Sequence, residues 1–170
     1  MHEPGYLEPW LRGTRGAADP ITDHLLRSSE QIREDSAIAL KPLSVAQIWA
    51  KPAGMTSAGF HAKHLAGSTQ RLCIYLEGAA LTDDEVAAIS LENYGTETAD
   101  QLIQAIGNAF AKYETIVRHL KPDEFASIRR VGRKQLPVTA VSLAIHIAEH
   151  AHRHVGQLIS AAKLSRAQNA

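Results

Sequence analysis

One cysteine, no net charge, few aromatic residues and no long apolar run are what this 170-residue chain is short of, and each shortage excludes something. Cys73 stands alone, so no internal disulfide can staple the fold, and a chain of this length can bury enough surface to do without one. Eighteen Lys and Arg balance eighteen Asp and Glu, which removes the electropositive footprint that nucleic acid or an anionic membrane would need. No segment approaches the roughly 20 consecutive apolar residues that cross a bilayer, and even the run from Leu143 to Ile147 contains His146. The first residues carry neither a charged n-region nor an apolar stretch, so a cytoplasmic location is expected. What the chain has in excess is histidine: nine, against three phenylalanines and two tryptophans, concentrated in GFHAKHLAGS and HIAEHAHRHVGQL.

The length predicts one domain, residues 21–170, preceded by an arm over residues 1–20. Three prolines and three glycines interrupt those first 20 residues, which therefore read as extended chain, with Trp10 as the expected anchor. From Ile21 to about Leu40 no proline or glycine intervenes, and Leu25, Ile32 and Ala39 recur at helical spacing. Ser44 and Gln47 have capping-box spacing between two prolines, which predicts a short connecting helix. A second long helix is expected from about Thr56 to Glu77, with Thr56 or Ser57 as N-cap and Gly78 as stop. LTDDEVAAISLENYG reads as another short helix and a loop. Ile103, Ile106, Phe110, Tyr113, Val117 and Leu120 then mark a third long helix that Pro122 ends, and Val138 to about Leu164 a fourth. RRVGRKQLP reads as a loop, and no strand-like alternation is seen. Long helices joined by turn residues and rich in alanine predict an all-α fold: an antiparallel four-helix bundle with an extended N-terminal arm and short connecting helices.

Successive helical residues are about 100° apart, so positions four apart stack one turn above each other. His146, His150 and His154 therefore form one column. On a projected wheel His150 and His154 fall beside Leu143, Ile147 and Leu158, whereas His146 falls toward the polar edge near Gln157. On the second helix His61 and His64 lie on the face defined by Phe60, Leu65, Leu72, Tyr75 and Leu76, opposite Lys63, Gln70 and Glu77. Two helices thus turn imidazoles toward one core, where an unpaired polar group costs about 1 to 3 kcal/mol. A divalent transition metal is one economical partner, since neutral imidazole is the commonest metal ligand and a three-histidine site with open positions suits Zn, Ni, Fe or Mn. Hydrogen-bonded core histidines are the plainer reading. His2, His24 and His119 are expected on the surface, and His152 is expected to pack or face an interface.

These residues carry a resemblance to the DinB-like (DinB/YfiT-like) superfamily of metal-dependent four-helix-bundle proteins. The resemblance rests on GFHAKHLAGS, on HIAEHAHRHVGQL and on their spacing of roughly ninety residues, start to start, and it covers about residues 20–165. In such proteins a histidine followed by Leu or Ile on the second helix joins an H-x-x-x-H pair on the last helix, whose second member lies two residues before Gly-Gln. Carried over by position, this implies His64, His150 and His154 as the metal ligands, with Gly156 and Gln157 completing the motif. His61 is the competing helix-2 candidate; His64 is preferred because it begins the His-Leu-Ala-Gly-Ser pattern. Family members often show H-H-R-G-Q at the last ligand, and here the stretch is Arg153-His154-Val155-Gly156-Gln157.

The resemblance further implies a metal that activates a low-molecular-weight thiol, or water, toward a small electrophilic substrate, which would make the chain a metal-dependent S-transferase or hydrolase. The alternative is a non-enzymatic, stress-related metal- or ligand-binding bundle acting through dimerisation, for which Ile145 and Ile159, on a different side of the last helix from Leu143 and Ile147, would serve. No catalytic acid or base is visible: Glu149 lies about 100° from His150 and reads as solvated. Arg129, Arg130 or Arg133 could greet an anionic substrate at a pocket mouth. Cys73 is expected on the lateral side of its helix, away from the histidines, as a packing residue and not a nucleophile. Tyr6, Trp10 and Trp49 are expected to cap the bundle end or line a pocket.

Overall fold

A computed structural model describes residues 5–168 of the protein. Six α-helices follow one another: α1 (Pro20–Leu40), α2 (Val45–Trp49), α3 (Ala58–Leu76), α4 (Asp83–Ala87), α5 (Ala99–His119) and α6 (Ala140–Ala167). Each long helix starts where a short polar side chain can take up orphan backbone N–H groups. Asp19 accepts from Ile21 and Thr22, with Pro20 at the first helical position, while Ser57, Thr98 and Thr139 accept from Phe60, Gln101 and Ser142. Replacing any one of these caps by alanine would cost about 1 kcal/mol. The Ser44–Gln47 capping box that starts α2 forms in both directions.

The long helices pack in a closed sequence of neighbours, α1 against α5, α5 against α3, α3 against α6 and α6 against α1. Leu26, Ile32, Leu65, Leu76, Ile106, Phe110, Tyr113, Ile147 and Leu158 are sealed in the middle. Buried alanines on both partners, Ala58, Ala62 and Ala66 on α3 and Ala144 and Ala151 on α6, keep these helices slim, and slim helices can approach toward the short end of the about 8 to 10 Å range of axis separations. The Tyr113 hydroxyl donates to the carbonyl of Ala144 at 2.9 Å and ties α5 to α6 inside the core. Among the described residues no helix is long and apolar enough to cross a membrane.

Four expectations need correction. Ile128–Val131 and Leu136–Thr139 are strands, β1 and β2, paired antiparallel with Ile128 opposite Thr139 and Val131 opposite Leu136. Four residues per strand allow only two periods of alternation, and Arg129, Arg130 and Pro137 hide even those. Gly132 and Gln135, both with positive φ, close the turn. Arg129 donates through Nε to the carbonyl of Leu76 at 2.6 Å and so caps the C-terminal end of α3. That end is about 18 Å from His64 at 1.5 Å per residue, so Arg129 does not face the histidines. Arg130 bonds the carbonyl of Gln135 within the hairpin, and Arg133 is exposed on its turn.

Cys73 is not lateral but fully buried, because α3 is covered on two flanks, by α5 as well as by α6. Its packing role stands, and burial pushes the thiol up to about 12, which leaves it an inert apolar group. Trp10 is not the anchor of the arm, being 59% exposed. Charges hold the arm instead: Arg12 pairs with Glu30 and Glu34 of α1, Tyr6 donates to Glu34, and the buried Arg27 donates to the carbonyls of Arg12, Gly13 and Thr14.

Two helical glycines should respond oppositely to a methyl group. At Gly59 a Cβ would stand 2.8 Å from the Trp49 ring, so Gly59→Ala is expected to destabilise by about 1 to 3 kcal/mol and lower Tm by roughly 3 to 10 °C. At Gly156 the same methyl meets nothing, and Gly156→Ala should stabilise by about 0.5 to 1 kcal/mol through helix propensity alone. Calorimetry of both variants checks the pair.

Candidate metal centre

Helix α3 turns His61 and His64 toward α6, which presents His150 and His154 one turn apart. The four rings meet in the seam between the helices, with centroids 4.4 Å apart for His64 and His154, 4.6 Å for His150 and His154, and 5.4 Å for His64 and His150. One ring nitrogen from each of His64, His150 and His154 lies within 4.8 Å of the other two, and all three side chains are half-buried. The Nε2 atoms of His64 and His150 are 3.2 Å apart. Two imidazole nitrogens held about 2.0 to 2.1 Å from one tetrahedral ion would be about 3.3 Å apart, so the donor set fits a transition metal in its chemistry and the His64–His150 pair in its spacing.

His61, the competing candidate, stands behind this group and not in it. Only 3% exposed, its Nδ1 faces Nδ1 of His154 at 3.2 Å and its Nε2 faces Oγ1 of Thr56 at 2.9 Å. Because His154 uses Nδ1 on His61, Nε2 is the nitrogen it has left for an ion. His146 is exposed, its ring 5.8 Å from that of His150. His152 is exposed and spends Nδ1 on the carbonyl of Ala148, and Glu149 is exposed. His24 and His119 are on the surface, and His2 lies outside the described residues.

Burial sets the protonation of these rings. Desolvation, reinforced by the neighbouring histidines and arginines, pushes His150 and His154 each down to about 4, and burial likewise lowers His61. At neutral pH these three rings therefore present lone pairs and not charges, which is the state a metal requires. Phe60 stacks on His64 with ring planes within 16° and centroids 5.5 Å apart, restricting that ring from one side.

One residue of the site escaped the sequence reading. Glu92 belongs to a 3-10 segment, Ala88–Asn93, between α4 and α5, and is 4% exposed. Its Oε2 accepts from Nδ1 of His64 at 2.6 Å and its Oε1 from Nη1 of Arg71 at 2.7 Å. Burial opposes its ionisation, but these two bonds outweigh it and hold the carboxyl below the usual glutamate range. Glu92 sits 28 positions from His64 in a connector without periodicity, so no pattern in the sequence marked it. A cavity of about 810 Å³ lies away from the seam, between the arm, α1 and the other side of α6, lined by Trp10, His24, Ile145 and His152 among others.

Because the folded-state values of His150 and His154 lie below the unfolded value near 6.5, the unfolded chain binds more protons between about pH 6.5 and pH 4. The stability that the neutral rings supply is complete above that window and lost as pH falls through it. The metal-free protein should therefore show a Tm that drops on acidification from pH 6.5 to 4, and His150→Gln with His154→Gln should flatten that slope. An unchanged slope in the double variant would assign the loss to carboxylates such as Glu30 and Glu34.

A family model described as the DinB superfamily matches residues 29–158, which is 130 of the 170 residues. The matched span holds most of α1, all of α3 and α5, and α6 as far as Leu158, and it includes His61, His64, Glu92, His150 and His154. No curated protein matches the chain. The superfamily is metal-associated, and in this chain three histidines could hold a metal ion. With the match running over both histidine helices and more than half of the sequence, the chain belongs to the DinB superfamily.

Proposed function

We propose that this chain is a four-helix bundle that holds one divalent transition metal on His64, His150 and His154 and uses it to prepare a small nucleophile, a low-molecular-weight thiol or water, for attack on an electrophilic substrate. The cyclic packing of α1, α5, α3 and α6 supports the bundle, but not the all-antiparallel arrangement expected: α3 runs opposite to α6, where His61 meets His154 and His64 meets His150, and in the same direction as α5, where Lys63 pairs with Glu97 and Glu77 with Lys112. The observation that carries the function is the convergence of three ring nitrogens within 4.8 Å, on histidines of which burial pushes two, His150 and His154, well below the usual histidine range. Imidazole donors suit Zn, Ni, Fe and Mn, and three protein ligands leave coordination positions for nucleophile and substrate. When bound, such an ion supplies Lewis acidity, lowering the pKa of a bound water to about 7 or keeping a thiol as thiolate. The chain's own contribution is to hold three donors close together, two of them, His150 and His154, kept unprotonated by burial, with Phe60 restricting the His64 ring.

Elemental analysis of tag-free protein tests the reading. About one metal per chain is expected in the wild type, lost in His64→Ala and in His150→Ala and retained in His61→Ala, since His61 supports His154 and does not reach the group. Turnover of an electrophilic reporter by a small thiol should then follow metal content across the variants. No metal in the wild type, even after soaking with zinc, nickel and manganese, would overturn the proposal.

A second reading, a bundle acting through dimerisation, draws on Ile21, Ile38, Ile145 and Leu164, which are between 37% and 41% exposed on α1 and α6. A homodimer that covers Ile145 should appear in light scattering as twice the 18.5 kDa chain mass and revert to one chain on Ile145→Glu. A monomeric wild type removes this reading.

A further inference from the structure

A neutral imidazole carries its proton on one nitrogen or the other, and only the form protonated on Nδ1 leaves Nε2 free for an ion. For His64 that choice is not left to chance. A buried carboxylate 2.6 Å from Nδ1 accepts a hydrogen bond there and has no use for a lone pair, so it selects the Nδ1–H form. Nδ1 and Nε2 lie on opposite edges of the ring, so the same bond that selects the tautomer aims Nε2 away from Glu92 and toward Nε2 of His150, 3.2 Å distant.

The carboxylate is itself clamped. Arg71, with a side chain 12% exposed, donates to its second oxygen at 2.7 Å. Gly67, one turn from His64 on α3, leaves the space that Glu92 occupies: a Cβ there would collide with Glu92 Oε1 and come within 2.9 Å of Arg71 Nη1. The glycine of the His-Leu-Ala-Gly-Ser pattern thus acquires a physical reason, which is to let a connector carboxylate reach the back of His64.

We infer that Glu92, seated on Gly67 and held by Arg71, is a positioning residue that fixes the tautomer and direction of His64 and thereby sets the metal affinity of the three-histidine group. The inference rests on the proposed metal site but concerns a residue that is not one of its ligands. Glu92→Gln is the informative change, because an amide cannot satisfy both donors. If its oxygen faces Arg71, its NH₂ faces His64 and demands the lone pair on Nδ1, which moves the proton to Nε2. Turned the other way, it sets NH₂ against a guanidinium.

Long-range ¹H–¹⁵N spectra of the metal-free, histidine-labelled protein read the tautomer directly, whatever metal the protein binds. His64 is expected as Nδ1–H in the wild type and as Nε2–H in Glu92→Gln. Zinc affinity, measured by competition with a chromophoric chelator, should weaken by about 10- to 100-fold in that variant with the stoichiometry still one per chain. Gly67→Ala, which removes no titratable group, should weaken zinc in the same direction by displacing Glu92, and it keeps the test open should the charge change unsettle the Arg71 contact. His64 still locked as Nδ1–H in Glu92→Gln, or zinc affinity unchanged in both folded variants, would overturn the inference while the wild type's metal content stood. A wild type that binds no zinc would overturn the metal reading on which the inference rests.

Discussion

Everything distinctive about this protein follows from the desolvation of imidazoles between two helices. Water would satisfy and protonate these rings readily; the seam between α3 and α6 removes it, so each ring nitrogen must find a partner inside the protein or remain a bare lone pair. The bonds can be followed around the group. Thr56 meets His61, His61 meets His154, and Glu92 meets His64, each on the edge of the ring turned away from the centre. What these bonds leave on His64 and His154 is one nitrogen each, which gathers with a nitrogen of His150 in a single group. Pairing at the back converts buried histidines from a destabilising feature into a preorganised donor set.

The remainder of the architecture makes that seam possible. Alanines on both helices keep α3 and α6 slim, while Tyr113 fixes α5 to α6 from the core side. The α4–α5 connector looks like mere linkage in the sequence, yet it delivers Glu92 to the back of His64 and, through the carbonyl of Glu97, receives the indole N–H of Trp49. Trp49 in turn lies against Gly59, on the first turn of the helix that carries the histidines. The arm works on the opposite side, where Arg12 and Arg27 bind it to α1 and leave the histidine seam untouched.

What was legible in the sequence is what has a period. The apolar stripe of α5, from Ile106 through Phe110 and Tyr113 to Val117, gives a helix wherever it is read; the Ser44–Gln47 spacing marks its own capping box, and of Thr56 and Ser57, both offered as the cap of α3, Ser57 supplies it. The four-residue spacing of His150 and His154 states that they share a face, because helix geometry alone makes it so. The hairpin was hidden because four-residue strands carry too few repeats, and Cys73 was misplaced because a wheel shows one buried face while α3 is covered on two. Glu92 was invisible for a different reason. Its role depends on where a connector crosses α3, a long-range fact that only the missing side chain of Gly67 hints at. Trp10 failed as an anchor because bulk is a weaker cue than charge here: Glu30 and Glu34 on α1 offered the arm's arginine a better partner.

The choice of ligands bears on what kind of nucleophile the proposed site would favour. Three neutral imidazoles bring no negative charge to a dication, so its charge stays largely uncompensated at the open coordination positions. The nearest carboxylate, that of Glu92, is held one imidazole ring away from the inward nitrogens, and its charge is shared with Arg71 on the far oxygen. A site built this way stabilises an incoming anion more than a neutral ligand. Thiolate and hydroxide are the anionic forms of the two candidate nucleophiles, and both gain from an ion whose charge the protein has not already spent. Moving a carboxylate from the back of His64 into the ligand set would hold the metal more firmly and weaken that preference. On this argument the protein keeps its acidic residue behind the histidine, where it strengthens the donor without neutralising the charge that the reaction would use.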